Sequence, residues 1–181
     1  MKTLALILAS LIAPSFAAPV LAQDVAGRFD YYVLSLSWSP SWCRTEGDAR
    51  DAEQCDPGRR KSFVVHGLWP QYEDGWPEDC RTPARDPSRR DTREMGDIMG
   101  SSGLAWYQWK KHGRCTGLSA QDYFALTRKP AKAIAIPAPL HRLGRDVTLP
   151  AKLVEEAFIE ANPGLSRDGI AMLRRKVGVL H

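Results

Sequence analysis

The sequence has no apolar run near the roughly 20 residues of a membrane-spanning helix, which excludes a helical membrane domain. It has no C-x-x-C pair. Cys43, Cys55, Cys80 and Cys115 are 12, 25 and 35 positions apart, so the close ligand pair of a structural zinc site is missing. No charge of one sign dominates: Lys plus Arg number 25 and Asp plus Glu 21, a net +4 that permits a polyanionic partner without requiring one. There is no internal repeat and no sign of a second domain in 181 residues, a length that suits one core. Histidine is scarce, with four in the chain, so the surroundings of each can be weighed.

What is present begins with a leader. Lys2 precedes the nine-residue apolar stretch Leu4 to Ile12, and Val20-Leu21-Ala22 fits the small-residue rule for a cut before Gln23, with Ser15-Phe16-Ala17 as a second site. A buried N-terminal helix is the weaker reading, because Pro14 and Pro19 interrupt it. Residues 1–22 are therefore expected to be a signal peptide and 23–181 a single domain, secreted or periplasmic. In such an oxidising compartment the even set of cysteines favours disulfides over metal. Four cysteines allow three connectivities, and spacing does not choose among them.

Asp30 to Trp38 alternates apolar and smaller polar residues with the period of a strand. Arg44 to Arg60 is a polar loop that a Cys43–Cys55 bridge would cinch, and Ser62 to Val65 is a short strand ending at His66-Gly67. Pro70 to Gly103 reads as a long surface excursion, including an arginine run (Arg85, Arg89, Arg90, Arg93) interleaved with acids. Three helices follow. Leu104 to His112 stops at Gly113; Ser119 to about Lys129 opens on a Ser119-x-x-Asp122 cap and closes at Pro130; Pro150 to Ala161 stops at Asn162-Pro163-Gly164. Gly169 to Leu173 and Val177 to Leu180 read as strands. The order implies an α+β fold.

The chemistry sits in two places. His66 stands at a strand end before Gly67, in His66-Gly67-Leu68-Trp69-Pro70. In the motif Trp106 to Cys115, at helical spacing, Gln108, Lys111 and His112 fall within about 100° of one another, with Trp106 and Trp109 on the neighbouring side to bury. Two imidazoles can divide general-base and general-acid work near neutral pH, and a lysine can stabilise charge on a transferring phosphoryl group. RNA suits this set without a metal, since its 2′-hydroxyl is an internal nucleophile that DNA lacks. His141 and His181 have no comparable surroundings. Lys110 reads as a solvated charge, and Trp69 as either core or a wall on which a base stacks.

HGLWP followed by WKKHGRC, after a strand like YYVLSLSWSP, resembles the ribonuclease T2 family of secreted endoribonucleases, from about Phe29 to Arg174. The resemblance implies a central antiparallel sheet packed with helices and stabilised by disulfides. It also implies cleavage through a 2′,3′-cyclic phosphate with little base specificity. His66 matches the catalytic histidine of the first motif, and Lys111 and His112 match the lysine and histidine of the second. The family's pairing of the cysteine after the second motif implies Cys80–Cys115. Where that family carries His-Glu, this sequence has Tyr107 and Gln108. Gln108 keeps hydrogen-bonding capacity but no charge. Members commonly continue with a further strand and cysteine pair beyond a segment like RRKVGVLH, so the domain is expected to be truncated at its C-terminus.

The expected activity is thus metal-independent RNA cleavage by His66, Gln108, Lys111 and His112, with Trp69 and Tyr107 binding substrate. The expected state is a monomer without cofactor, metal, DNA or membrane contact. Two alternatives come from other classes: an RNA-binding protein weakened catalytically by Gln108, and a metal module built from His66, His112 and the cysteines.

Overall fold

The computed structural model describes residues 24–173 apart from 60, 142 and 144–147. The leader at 1–22 and the strand expected at Val177 to Leu180 lie outside the described residues. The fold is α+β. Its centre is an antiparallel pair, β1 (Tyr31–Trp38) and β2 (Phe63–Gln71). Along β1 the alternation behaves as its period requires: Tyr32, Leu34 and Leu36 turn to the core, while Tyr31 and Val33 face outward.

β2 does not end at His66, as its short apolar run suggested, but continues to Gln71. It does so with a defect. Ser35 pairs with Gly67 and Leu36 with Val65, so His66 is one residue too many on its strand, a β-bulge. The phase of β2 changes there. Val65 and Leu68, three residues apart, both enter the core, which an uninterrupted strand could not do.

The helices are α1 (Ser39–Trp42), α2 (Arg89–Glu94), α3 (Gly96–Met99), α4 (Ser102–Lys111), α5 (Ala120–Ala133) and α6 (Ala151–Ala161). The expected excursion between residues 70 and 103 is thus partly helical. Ser88 and Asp91 close a reciprocal cap on α2, and Met95 and Met99 on the following turns are completely buried against Trp109 of α4 and Tyr123 of α5. Ser101 caps α4 through Leu104 N–H, and Ser119 caps α5 through Asp122 N–H.

Pro130 does not close α5, which runs to Ala133. Burial outweighs the bond that proline removes, because Ala131 packs on the main core and Ile134 on a second cluster formed by Leu140, Val154 and Phe158. Residues Gly169 to Leu173 also differ from expectation. A 3₁₀ turn covers Arg167–Gly169, and Met172 N–H donates to Glu155 on α6 at 2.9 Å, so this stretch lies along a helix instead of pairing as a strand.

Both disulfides are formed: Cys43–Cys55 gathers the short turns after α1, and Cys80–Cys115 joins the loop after β2 to the turn after α4. The second closes a separation of 35 residues. Replacing Cys80 and Cys115 together by alanine is expected to cost about 3 to 4 kcal/mol. Urea unfolding of the two proteins checks this; a loss below about 1 kcal/mol would show that other contacts already fix the helix end.

Candidate active site

The bulge decides where His66 points. The phase change brings its ring to 5.8 Å from that of Trp69, three residues on, and its Nδ1 lies 2.7 Å from Ser37 Oγ across the strand pair. The Ser37 hydroxyl thus holds the ring at Nδ1. His112, at the end of α4, stacks on the same indole at 5.0 Å with 30° between the planes. One indole therefore contacts both imidazoles. Trp69 is neither a plain core residue nor an open wall, since His112 occupies a face of its ring.

Trp69 is fixed from below. Its Nε1–H donates to Gln108 Oε1 at 2.6 Å, and Gln108 is 1% exposed. The amide is thus a buried acceptor, satisfied by the indole; removing that donor would leave a buried acceptor at a cost of about 1 to 3 kcal/mol. The approach is possible because residue 67 has no side chain: a Cβ there would lie 2.5 Å from Gln108 Oε1 and collide with the Trp69 ring.

Lys111, one turn on from Gln108, reaches a half-open position where Nζ meets Glu78 Oε2 at 3.1 Å. Glu78 also accepts from Trp76 Nε1 at 3.2 Å. The pair shifts both partners consistently: the ammonium lowers the Glu78 carboxyl, and Glu78 raises Lys111. Tyr107 is 52% exposed and, after Glu78, adds to the rise of the Lys111 pKa.

His112 is 6% exposed, and its Nδ1 has no hydrogen-bond partner among the described residues. An imidazolium there would bury a second N–H without an acceptor. Burial first, then the positive Lys111 and His66, lower its pKa to about 4, against an opposing pull from Glu78. At neutral pH this ring is uncharged.

Behind α4 stands a residue whose role was not visible in the sequence. Asp86 accepts from Trp109 Nε1 at 2.9 Å, Lys110 Nζ at 3.1 Å and Arg114 at 2.8 Å. Burial raises its pKa, but those three bonds outweigh it and hold the carboxyl at about 2. Lys110 is accordingly not a free solvated charge. Trp106 is not buried beside Trp109 but 42% exposed, its ring covered by Lys110 at 5.7 Å instead of by the protein body. His141 stays exposed and takes no part in the site. Among the described residues, the one group of potential metal ligands is Cys43, Asp48 and Cys55; its sulfurs are in a disulfide, so it supplies no thiolate, and His66 and His112 are not in it.

The model of the Ribonuclease T2 family matches residues 29–144. The chain belongs to that family. It is 42% identical over 126 residues to a ribonuclease of Aeromonas hydrophila, covering 70% of this chain and 56% of that one. It is 30% identical over 138 residues to a probable ribonuclease of Haemophilus influenzae, covering 70% and 50%. The chain thus spans about half the length of these curated relatives. Among solved structures the fold matches RNase NT in complex with 5′-AMP, with a TM-score of 0.57 at 22% identity over 78% of this chain and 80% of that one. It also matches an RNase-related protein from Calystegia sepium, with a TM-score of 0.52 at 19% identity over 74% and 75%.

Two glycines test the packing around α4 and β2. Gly67→Ala is expected to destabilise by about 1 to 3 kcal/mol, because the methyl group must displace Trp69 or Gln108. Gly103→Ala, in open space within α4, is expected to stabilise by about 0.5 to 1 kcal/mol. Denaturant midpoints of both variants check the contrast, which fails if they move together.

Proposed function

We propose that this protein is an endoribonuclease that cleaves single-stranded RNA by metal-independent transphosphorylation, with little base preference. The observation that carries the reading is the placement of two imidazoles about Trp69, at 5.8 and 5.0 Å between ring centres, with the Lys111 ammonium beside them. His112, uncharged at neutral pH, takes the proton of the 2′-hydroxyl, whose oxygen then attacks the phosphorus. His66 enters as imidazolium, donating from Nδ1 to Ser37 Oγ and giving its Nε2 proton to the departing 5′-oxygen. Lys111 stabilises the charge that builds on the non-bridging oxygens. The product is a 2′,3′-cyclic phosphate. Its hydrolysis runs the same transfers in reverse, with water in place of the 5′-hydroxyl. Gln108 supports the site by holding Trp69, and Tyr107 and the open edge of Trp69 contact substrate.

Export belongs to the same reading. The leader at 1–22 and two formed disulfides suit an oxidising compartment, and one relative, from Solanum lycopersicum, is an extracellular ribonuclease.

The test is incubation of purified protein with RNA and the matching DNA in EDTA, with analysis of the ends. Cyclic phosphate from RNA alone is expected; loss of cleavage in EDTA, or equal cleavage of DNA, contradicts the mechanism. His66→Ala and His112→Ala are each expected to lower kcat/KM by at least about 10²-fold. For the wild type, kcat/KM should fall as pH drops through about 4, where His112 takes up its proton and ceases to be a base. A profile flat from pH 3 to 6 would assign the base elsewhere.

The buried amide at 108 keeps alive a protein that binds RNA and turns it over poorly. Gln108→Glu retains the acceptor for Trp69 and adds a negative charge. A rise of roughly tenfold in cleavage rate is expected, and an unchanged or lower rate would show that the amide is no handicap.

A further inference from the structure

The site contains three groups that carry or acquire positive charge, Lys111, His66 and His112, and an uncharged amide at Gln108. A carboxylate reaches it from outside α4 and β2. Glu78 lies on the loop after β2, and its Oε2 takes Lys111 Nζ at 3.1 Å and Trp76 Nε1 at 3.2 Å. An exposed ion pair of this kind contributes little to stability by itself. This one differs in how its carrier is held. The next residue, Asp79, donates its N–H to the Lys111 carbonyl at 2.8 Å, and the one after it, Cys80, is bonded to Cys115 beyond the helix end. Loop and helix end therefore form one piece, with Glu78 fixed opposite the side chain of Lys111 and within electrostatic reach of His112.

We propose that Glu78, tied to the helix end through Asp79 and the Cys80–Cys115 bridge, is a positioning residue for the ribonuclease site that orients the Lys111 ammonium and offsets its charge beside His112. The inference rests on the reading of His112 as the base. The charged and titratable groups facing His112 are Lys111 on its own helix, His66 on β2 and Glu78 on the loop, and Glu78 alone among them favours the protonated ring. Burial and two positive neighbours drive His112 downward. A weaker base transfers protons less effectively, so the carboxylate sets how far that loss goes.

The experiment is Glu78→Gln, which keeps the shape and a hydrogen-bond acceptor for Lys111 while removing the charge. Two readouts are taken: the His112 titration followed by NMR, and kcat/KM on RNA against pH. The variant's His112 midpoint and the acid limb of its rate profile are expected to move down together by about half a pH unit, with the plateau of kcat/KM lowered about threefold. A merely structural ion pair would lower stability without moving either midpoint. A variant that titrates like the wild type overturns the proposal. The NMR titration needs no turnover, so a shifted His112 in a protein that cleaves no RNA would sustain the coupling to Glu78 and refute the ribonuclease reading instead.

Discussion

A strand of period two cannot place residues three apart on one side, yet His66 and Trp69 have to share a side for this site to exist. The extra residue at His66 resolves the conflict. It costs one pairing in the ladder with β1, and in return Val65 and Leu68 can both face the core while His66 and Trp69 face the site. The rest of the site follows from that phase change. Trp69 reaches Gln108 because it is turned toward α4, and Gly67 must lack a side chain because the indole and amide pass over it. Ser37, on the strand opposite the bulge, holds His66 at Nδ1.

The second half of the site depends on where α4 stops. Its backbone ends at Lys111, and His112 caps it with its N–H on the Gln108 carbonyl. Three anchors hold that terminus: Trp109 buried against Tyr123, Asp86 binding Trp109, Lys110 and Arg114, and the Cys80–Cys115 bridge. A helix end that could fray would expose His112 to water and let its pKa return toward 6.5. The low proton affinity of this ring is thus a product of tertiary anchoring, and it connects the stability of the fold to the chemistry proposed for it.

Much of this was legible in the residues because local rules and tertiary structure agree. The caps at Ser101 and Ser119 carry their own signal, and helical geometry alone put Gln108, Lys111 and His112 near one another. The bulge was harder to read, since nothing in Phe63-Val64-Val65-His66-Gly67-Leu68 marks which residue is surplus; only the partner strand reveals it. α2 and α3 were hidden by their polar composition, although Ser88-x-x-Asp91 and the four-residue spacing of Met95 and Met99 were cues. Asp86 and Glu78 were invisible for a different reason. A carboxylate in a loop acquires its meaning from the cations that the fold brings to it, and both partners lie more than 20 residues away in sequence.

The central claim is that bulge and helix end together make one phosphate site with an imidazole on either side. The most direct measurement is a crystal structure of the protein with a 2′-deoxy dinucleotide, which RNA chemistry of this kind cannot cleave. The account predicts its phosphate within hydrogen-bond distance of Lys111 Nζ and between the His66 and His112 rings, with His66 still the surplus residue of the β1–β2 register. A phosphate bound elsewhere, or a regular β1–β2 register with His66 turned away from Trp69, would contradict it.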